Sequence, residues 1–262
     1  MDLSLSGKRA LVCGSTQGIG KAAAIELSKM GASITLVARN EDKLKETLRA
    51  LDSGPHQRHD YIAVDFNDAV RLKSKVTLYL AKTGPVQILI NNTGGPPAGK
   101  VEKAQEGEFL QAFNNHLLCN HVLMQAVVEG MKASKYGRII NVISTSVKIP
   151  LKGLGVSNTI RAAVANWSKT LATELAIHQI TVNNVLPGAT NTQRLQGIIE
   201  NKSKTTAIAT DEVIHEMVAE IPAGRFAEPE EVANAIAFLA SPAASYITGI
   251  NLPVDGGRTG CL

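Results

Sequence analysis

The stretch CGSTQGIGKA, Cys13 to Ala22, sets glycines at positions 14, 18 and 20 in a G-x-x-x-G-x-G pattern. With no side chains there, the backbone can turn tightly and approach a ligand closely, so that free N–H groups at a helix start face a pyrophosphate. Taken alone, the same pattern also describes ordinary glycine turns, and its meaning depends on a strand before it and a helix after it. Arg39, in VARNEDK, is the second residue with a chemical reading. An acidic side chain would suit the free 2′-hydroxyl of a dinucleotide's adenosine ribose, whereas a guanidinium suits a 2′-phosphate through charge-assisted, often bidentate, hydrogen bonds. The two features together favour NADP over NAD; a solvated surface cation is the competing reading of Arg39.

The hydrophobic periodicity supplies the frame these residues need. Short apolar runs rich in Val and Ile fall at 9–13, 33–38, 61–64, 87–90, 138–143, 180–186 and 250–254. Segments of helical period lie between them, at 19–30, 41–51, 68–82, 104–131, 157–177 and 229–239. Strands buried on both faces, each followed by a crossover helix, predict an α/β fold. The expectation is a single-domain Rossmann-type, doubly wound parallel sheet of about seven strands with helices on both faces, spanning residues 1–262. The long stretch from Gly188 to Arg225 holds two weakly helical pieces and reads as a substrate flap at about 190–220.

Bulk properties narrow the function classes. A chain of 262 residues with 44% hydrophobic content can bury one large core. The 27 Lys plus Arg against 23 Asp plus Glu leave only +4, spread along the chain, which gives no case for a nucleic-acid partner. Cys13, Cys119 and Cys261 form no Cys-x-x-Cys, no metal is expected, and a reducing cytoplasm fits. No charged-then-apolar leader opens the sequence and no apolar run approaches membrane-spanning length, so secretion and a membrane location are not expected.

Several segments resemble the short-chain dehydrogenase/reductase family over almost the whole chain. CGSTQGIG resembles its cofactor turn, VDFND (64–68) its adenine-pocket segment, NNTGG (91–95) a strand end, and GRIINVISTS (137–146) the strand carrying a catalytic Ser. VNNVLPGATNT (182–192) resembles its Pro-Gly cofactor segment, and residues 221–257 its C-terminal block. Within the family the chain is most similar to the 3-oxoacyl-acyl-carrier-protein reductase type. The resemblance implies dinucleotide contacts from Gly14, Ser15, Gly18, Ile19 and Gly20, with Asp65 and Phe66 at the adenine. It puts Asn91 and Gly94 near the sugars, and Pro187, Gly188 and Thr192 beside the nicotinamide.

The same resemblance sets out a catalytic quartet of Asn, Ser, Tyr and Lys, in which Tyr exchanges the proton and Lys both lowers the Tyr pKa and grips the nicotinamide ribose. Ser144 fits the Ser position. The family's Ser-to-Tyr spacing then leads to Ser157 at the Tyr position and Arg161 at the Lys position, and His116 falls at the Asn position with Asn115 one residue away. Arg161 can still donate to ribose hydroxyls but cannot shuttle a proton readily, and Ser157 is a far weaker acid and shorter than a phenol. Tyr61, Tyr79, Tyr136 and Tyr246 lie outside the site segments. A replacement acid could be His116, whose imidazole near its usual pKa would give and take protons at neutral pH, or His215, or a network of Ser144, Ser157 and water.

Two functions follow. One is an NADP-dependent oxidoreductase that reduces a carbonyl or oxidises an alcohol through an altered proton relay. The other is a catalytically impaired dinucleotide-binding protein acting as a sensor or assembly subunit. The C-terminal block resembles the family's dimer and tetramer surfaces, which implies a homodimer or homotetramer, although the apolar side of residues 233–239 could equally pack within its own subunit.

Overall fold

RALVC forms β1 (Arg9–Cys13), the glycine turn follows it directly, and GIGKAAAIELSK winds into α1 (Gly18–Lys29). The structure, a computed structural model, describes residues 1–261. The alternation then continues through β2 (Ser33–Ala38), α2 (Glu41–Arg49), β3 (Asp60–Ala63), α3 (Ala69–Thr83) and β4 (Ile88–Asn91). After α4 (Glu106–Phe113) and α5 (Cys119–Ala133) come β5 (Gly137–Val142), α6 (Gly155–Leu175) and β6 (Ile180–Pro187). The chain ends with α7 (Gln193–Thr206), α8 (Thr210–Ala219), α9 (Pro229–Ala240) and β7 (Asn251–Val254). Helix starts are written into the sequence. Asn40 and Asp68 accept the N–H groups of Lys43 and Arg71 at 2.9 and 2.8 Å, and α9 opens on Pro229 between the paired capping glutamates 228 and 231.

The strands form one parallel sheet in the order β3-β2-β1-β4-β5-β6-β7. One face packs on α1, α2 and α9 through residues such as Leu27, Leu44, Val232 and Ile236; the other packs on α3, α5 and α6 through Leu72, Val76, Leu123 and Leu171. The strand order reverses between β1 and β4, so the crevice that such sheets use for ligands opens at their C-terminal ends.

An uncharged polar ladder crosses the second half of the sheet. Asn91, Asn141, Asn184 and Asn251 are register neighbours on β4 to β7. Each of the first three donates its side-chain N–H to the next, at 2.8, 3.1 and 2.8 Å. Asn141 also donates to the Ser168 hydroxyl of α6 at 2.9 Å, which joins the ladder to the helix above it.

Three expectations need adjusting. The single helix predicted over 104–131 is broken by a π-helical turn, Asn114–Leu118, between α4 and α5. The Asn114 side chain donates to the Phe66 carbonyl at 3.1 Å and that of Asn115 to Asn67 Oδ1 at 2.9 Å, so the turn is held toward the loop after β3. The weakly helical stretch after Gly188 contains two full helices, α7 and α8, closed on a small core of Leu195, Ile199 and Val213 and tied by Lys202–Glu216 at 2.7 Å. The apolar side of α9 packs against α1 within the same chain, so residues 233–239 contribute to the chain's own core.

Candidate active site

The glycine turn lies at the C-terminal end of β1. Gly14 takes a φ of +57°, and a Cβ there would stand 2.6 Å from the Asn92 carbonyl oxygen. A Cβ on Gly20 would be 2.2 Å from the Gly14 carbonyl oxygen, so the first turn of α1 closes only on glycine. Asn92 pins the turn from β4's end, donating its side-chain amide to the carbonyls of Cys13 and Gly14 at 3.3 Å each. Inside the turn Ser15 is fully buried, and its hydroxyl oxygen has no partner in the protein. A buried hydroxyl left without a partner at a helix start is a group that a phosphate oxygen would satisfy.

The other predicted cofactor residues lie in α1 and at or just after the C-terminal ends of β2, β3, β4 and β6. Arg39 is exposed just past β2, which pairs with β1 in register, and makes no ion pair among the described residues. Ile19 packs half-buried at the base of α1. Asp65 accepts the Asn67 N–H at 3.0 Å, and Phe66 packs on the core beneath α5. Gly94 is exposed, and a Cβ on it would meet no protein atom, so its smallness serves no contact within the chain. Pro187 ends β6, and Gly188 donates to the Val254 carbonyl at 2.9 Å. Thr192 caps α7, with its methyl group 3.0 Å from where a Gly18 Cβ would be, so the flap's first helix starts against the glycine turn. Asn91 faces the sheet rather than the crevice: it belongs to the ladder and is 2% exposed.

Ser144 and Arg161 meet at the end of β5, His116 lies within reach of the Arg161 charge, and Ser157 is buried one turn before Arg161 on α6. Ser144 Oγ accepts the Ser146 N–H at 3.1 Å, which leaves its own hydroxyl proton for another acceptor. Arg161, on α6 one turn after the buried Ser157, donates from Nη1 to the Val142 carbonyl at 2.9 Å. That bond anchors the guanidinium two residues before Ser144. Its Nε is buried and has no partner. His116, carried inward by the π turn, is 2% exposed and shares a 2.6 Å hydrogen bond between Nδ1 and the Thr93 hydroxyl.

The flap contributes a residue that its sequence does not announce. Arg194 on α7 donates from Nη1 and Nη2 to the carbonyls of Gly95 and Pro96, at 2.9 and 2.6 Å. It lies close enough to Arg161 for its charge, after burial itself, to help push the Arg161 guanidinium down to about 10. Burial and the charges of Arg161 and Arg194 hold the His116 imidazole down to about 2. The ring is therefore neutral at neutral pH, contrary to the ordinary pKa expected from sequence, and can act there as a hydrogen-bonding group. Burial also lowers Arg194. His215 lies exposed on α8.

The tyrosines stand apart from this cluster. Tyr61 donates to Glu41, Tyr79 pairs with Thr35, Tyr136 donates to the Ala240 carbonyl, and Tyr246 is fully exposed. A cleft of about 350 Å³ is lined by Thr145, Ile149, Leu151, Glu220, Arg258 and Thr259, with Arg258 and Glu220 joined in an ion pair. Thr93, Asn92 and Arg194 are the site residues that sequence reasoning missed. Asn92 and Thr93 lie within the NNTGG segment without a role of their own being legible there, and the polar flap sequence NTQRLQG held the only hint of Arg194.

Comparison with known proteins gives consistent matches. A family profile described as enoyl-(acyl carrier protein) reductase matches residues 14–259. The 3-oxoacyl-[acyl-carrier-protein] reductase FabG of Vibrio cholerae is 32% identical, with 97% of this chain and 98% of that protein covered. The NADPH-dependent reductase BacG of Bacillus subtilis is 30% identical over 97% of this chain and 98% of its own. Among solved structures, L-sorbose reductase from Gluconobacter frateurii, complexed with NADPH and L-sorbose, superposes with a TM-score of 0.92 at 33% identity, with all of both chains covered.

Proposed function

Because the chain belongs to the short-chain dehydrogenase/reductase family, we propose that it is an NADP-dependent oxidoreductase that interconverts a carbonyl and an alcohol, with a proton relay built without a Tyr-Lys pair. The observation that carries this reading is the cradle at residues 14–20, which only glycine can close and which holds the unpartnered Ser15 hydroxyl. When bound, NADPH supplies the hydride. Gly14, Ser15, Gly18, Ile19 and Gly20 hold the pyrophosphate, and the unpaired Arg39 takes the 2′-phosphate. Asp65 and Phe66 flank the adenine, Gly94 lies toward the sugars, Pro187, Gly188 and Thr192 lie beside the nicotinamide, and Asn91, bound into the ladder, supports the strand end from within the sheet. A related NADPH-dependent reductase and an NADPH-complexed neighbour support the choice of cofactor.

At the reacting end, the protein's own groups divide the work. Ser144 turns its free hydroxyl proton to the substrate oxygen. Arg161, fixed at Nη1, keeps its other N–H donors for the nicotinamide ribose and the substrate. Ser157 stands where the family's Tyr would be, and its shorter side chain leaves space for a water that carries the proton. His116, neutral and fixed by Thr93, orients that water without exchanging a proton with solvent.

The neutral, buried His116 also favours the second reading, a protein that binds the dinucleotide as a sensor or assembly subunit. Titrating NADPH and NADH and then following NADPH absorbance with ketones, quinones and 3-oxoacyl thioesters separates the two. Turnover on any of them supports the oxidoreductase; tight binding without turnover supports the binding protein. We further propose a homodimer or homotetramer, supported by the exposed Leu110, Phe113 and Leu118 along α4 and the π turn. A cytoplasmic setting suits the buried free thiols of Cys13 and Cys119, and among the described residues no helix is long and apolar enough to cross a membrane.

A further inference from the structure

We propose that Arg161 and Arg194 form a carboxylate-binding pair, so that the substrate is an oxo acid or hydroxy acid rather than a neutral ketone or alcohol. The inference rests on the oxidoreductase reading and names its substrate class. Arg161 is 8% exposed, its Nε is buried without a partner, and its one hydrogen bond in the protein is to a neutral backbone carbonyl. Arg194 likewise spends Nη1 and Nη2 on neutral carbonyls, those of Gly95 and Pro96. Each guanidinium is thus positioned by the backbone and compensated by no carboxylate among the described residues. Burial lowers both, and the charge of Arg194 acts further on Arg161. His116, the third polar group of the cluster, is bonded to Thr93 and carries no charge to offset them.

An uncompensated buried cation is costly, and Arg161 is one; a ligand of opposite charge would relieve it, with the exposed Arg194 adding a second positive charge nearby. A ribose hydroxyl can accept a hydrogen bond from Arg161 but brings no negative charge. The phosphates of the dinucleotide belong to the glycine turn and Arg39. A carboxylate on the substrate fits both requirements. Its planar oxygens match the guanidinium fork, and anchoring it places the carbonyl to be reduced beside Ser144. Because Arg161 reaches the site from α6 and Arg194 from the flap helix α7, an acid bound between them would also tie the flap to the rest of the site.

The test is calorimetry on the whole protein saturated with NADP⁺, with 2-oxopentanoate, 4-oxopentanoate and 5-oxohexanoate as probes, each against its methyl ester. At least one acid is expected to bind ten- to a hundredfold more tightly than its ester. Arg194→Gln, which keeps an amide donor for Gly95 and Pro96, should remove that preference, and Arg194→Lys should restore part of it. NADP⁺ affinity serves as the check that the Arg194 variants are folded, and the circular dichroism spectrum with the thermal midpoint serves for Arg161→Lys. Equal binding of every acid and its ester, or a preference that survives both Arg194→Gln and Arg161→Lys, overturns the inference. If the arginine-dependent preference is present but no probe oxidises NADPH, the carboxylate site stands as a ligand site and the oxidoreductase reading falls. If neutral ketones turn over as well as their acid counterparts, the oxidoreductase reading stands and the inference falls.

Discussion

At the scale of single residues, chemistry is set here as much by what a side chain lacks as by what it touches. His116 illustrates this in stability. Its folded pKa of about 2 lies below the 6.5 of an ordinary imidazole, so below pH 6.5 the unfolded chain binds a proton that the native ring refuses. The stability this neutral ring contributes is therefore complete above pH 6.5 and lost as pH falls below it, with a slope of about 1.4 kcal/mol per pH unit from this one group. Urea titrations between pH 7 and 5 should show that slope, and His116→Asn should flatten it. At the other end of the crevice, Arg39→Ala should weaken NADPH binding about ten- to a hundredfold and leave NADH within about twofold, read by fluorescence titration. Equal losses for both cofactors would show that Arg39 does not meet the 2′-phosphate. Arg161 could be picked out by spacing alone, but its lack of a counterion could not, because Arg194 joins it from 33 positions further along the chain with no motif to mark the encounter.

At the scale of elements, strands and caps were readable because their signals are local. Runs buried on both faces, Asn40 and Asp68 before their helices, and Pro229 between glutamates each fix an element from within a few residues. The break between α4 and α5 was not readable, since it depends on Asn114 and Asn115 bonding to the distant residues Phe66 and Asn67. The glycine turn is the element whose pattern and geometry agree most closely. Gly20→Ala would drive a methyl group into the Gly14 carbonyl, and we expect a stability loss of about 1–3 kcal/mol in denaturant titration together with loss of NADPH binding. Gly94→Ala, whose Cβ meets no protein atom, should keep full stability. If it keeps NADPH affinity as well, Gly94 lies away from the cofactor.

At the scale of the whole molecule, alternation of apolar runs and helices was enough to read a doubly wound parallel sheet, and the cores on its two faces follow from it. The subunit count is a different matter, because the apolar side of α9 is used inside the chain. Light scattering should return a dimer or tetramer, and Leu110→Glu with Phe113→Glu should shift it toward monomer if the face along α4 is the contact. The asparagine ladder carries a consequence for how the molecule is made. Its bonds exist only when β4, β5, β6 and β7 are aligned together, and those strands lie far apart in sequence, so the ladder can form only late in folding. Asn141→Ala strands the Asn91 amide and the Asn184 carbonyl and should cost roughly 2 kcal/mol. In stopped-flow experiments nearly all of that loss should appear as unfolding about thirtyfold faster, with the refolding limb almost unmoved. The ladder would then act as a latch on the finished sheet, setting how long the native state lasts and not how quickly it is reached.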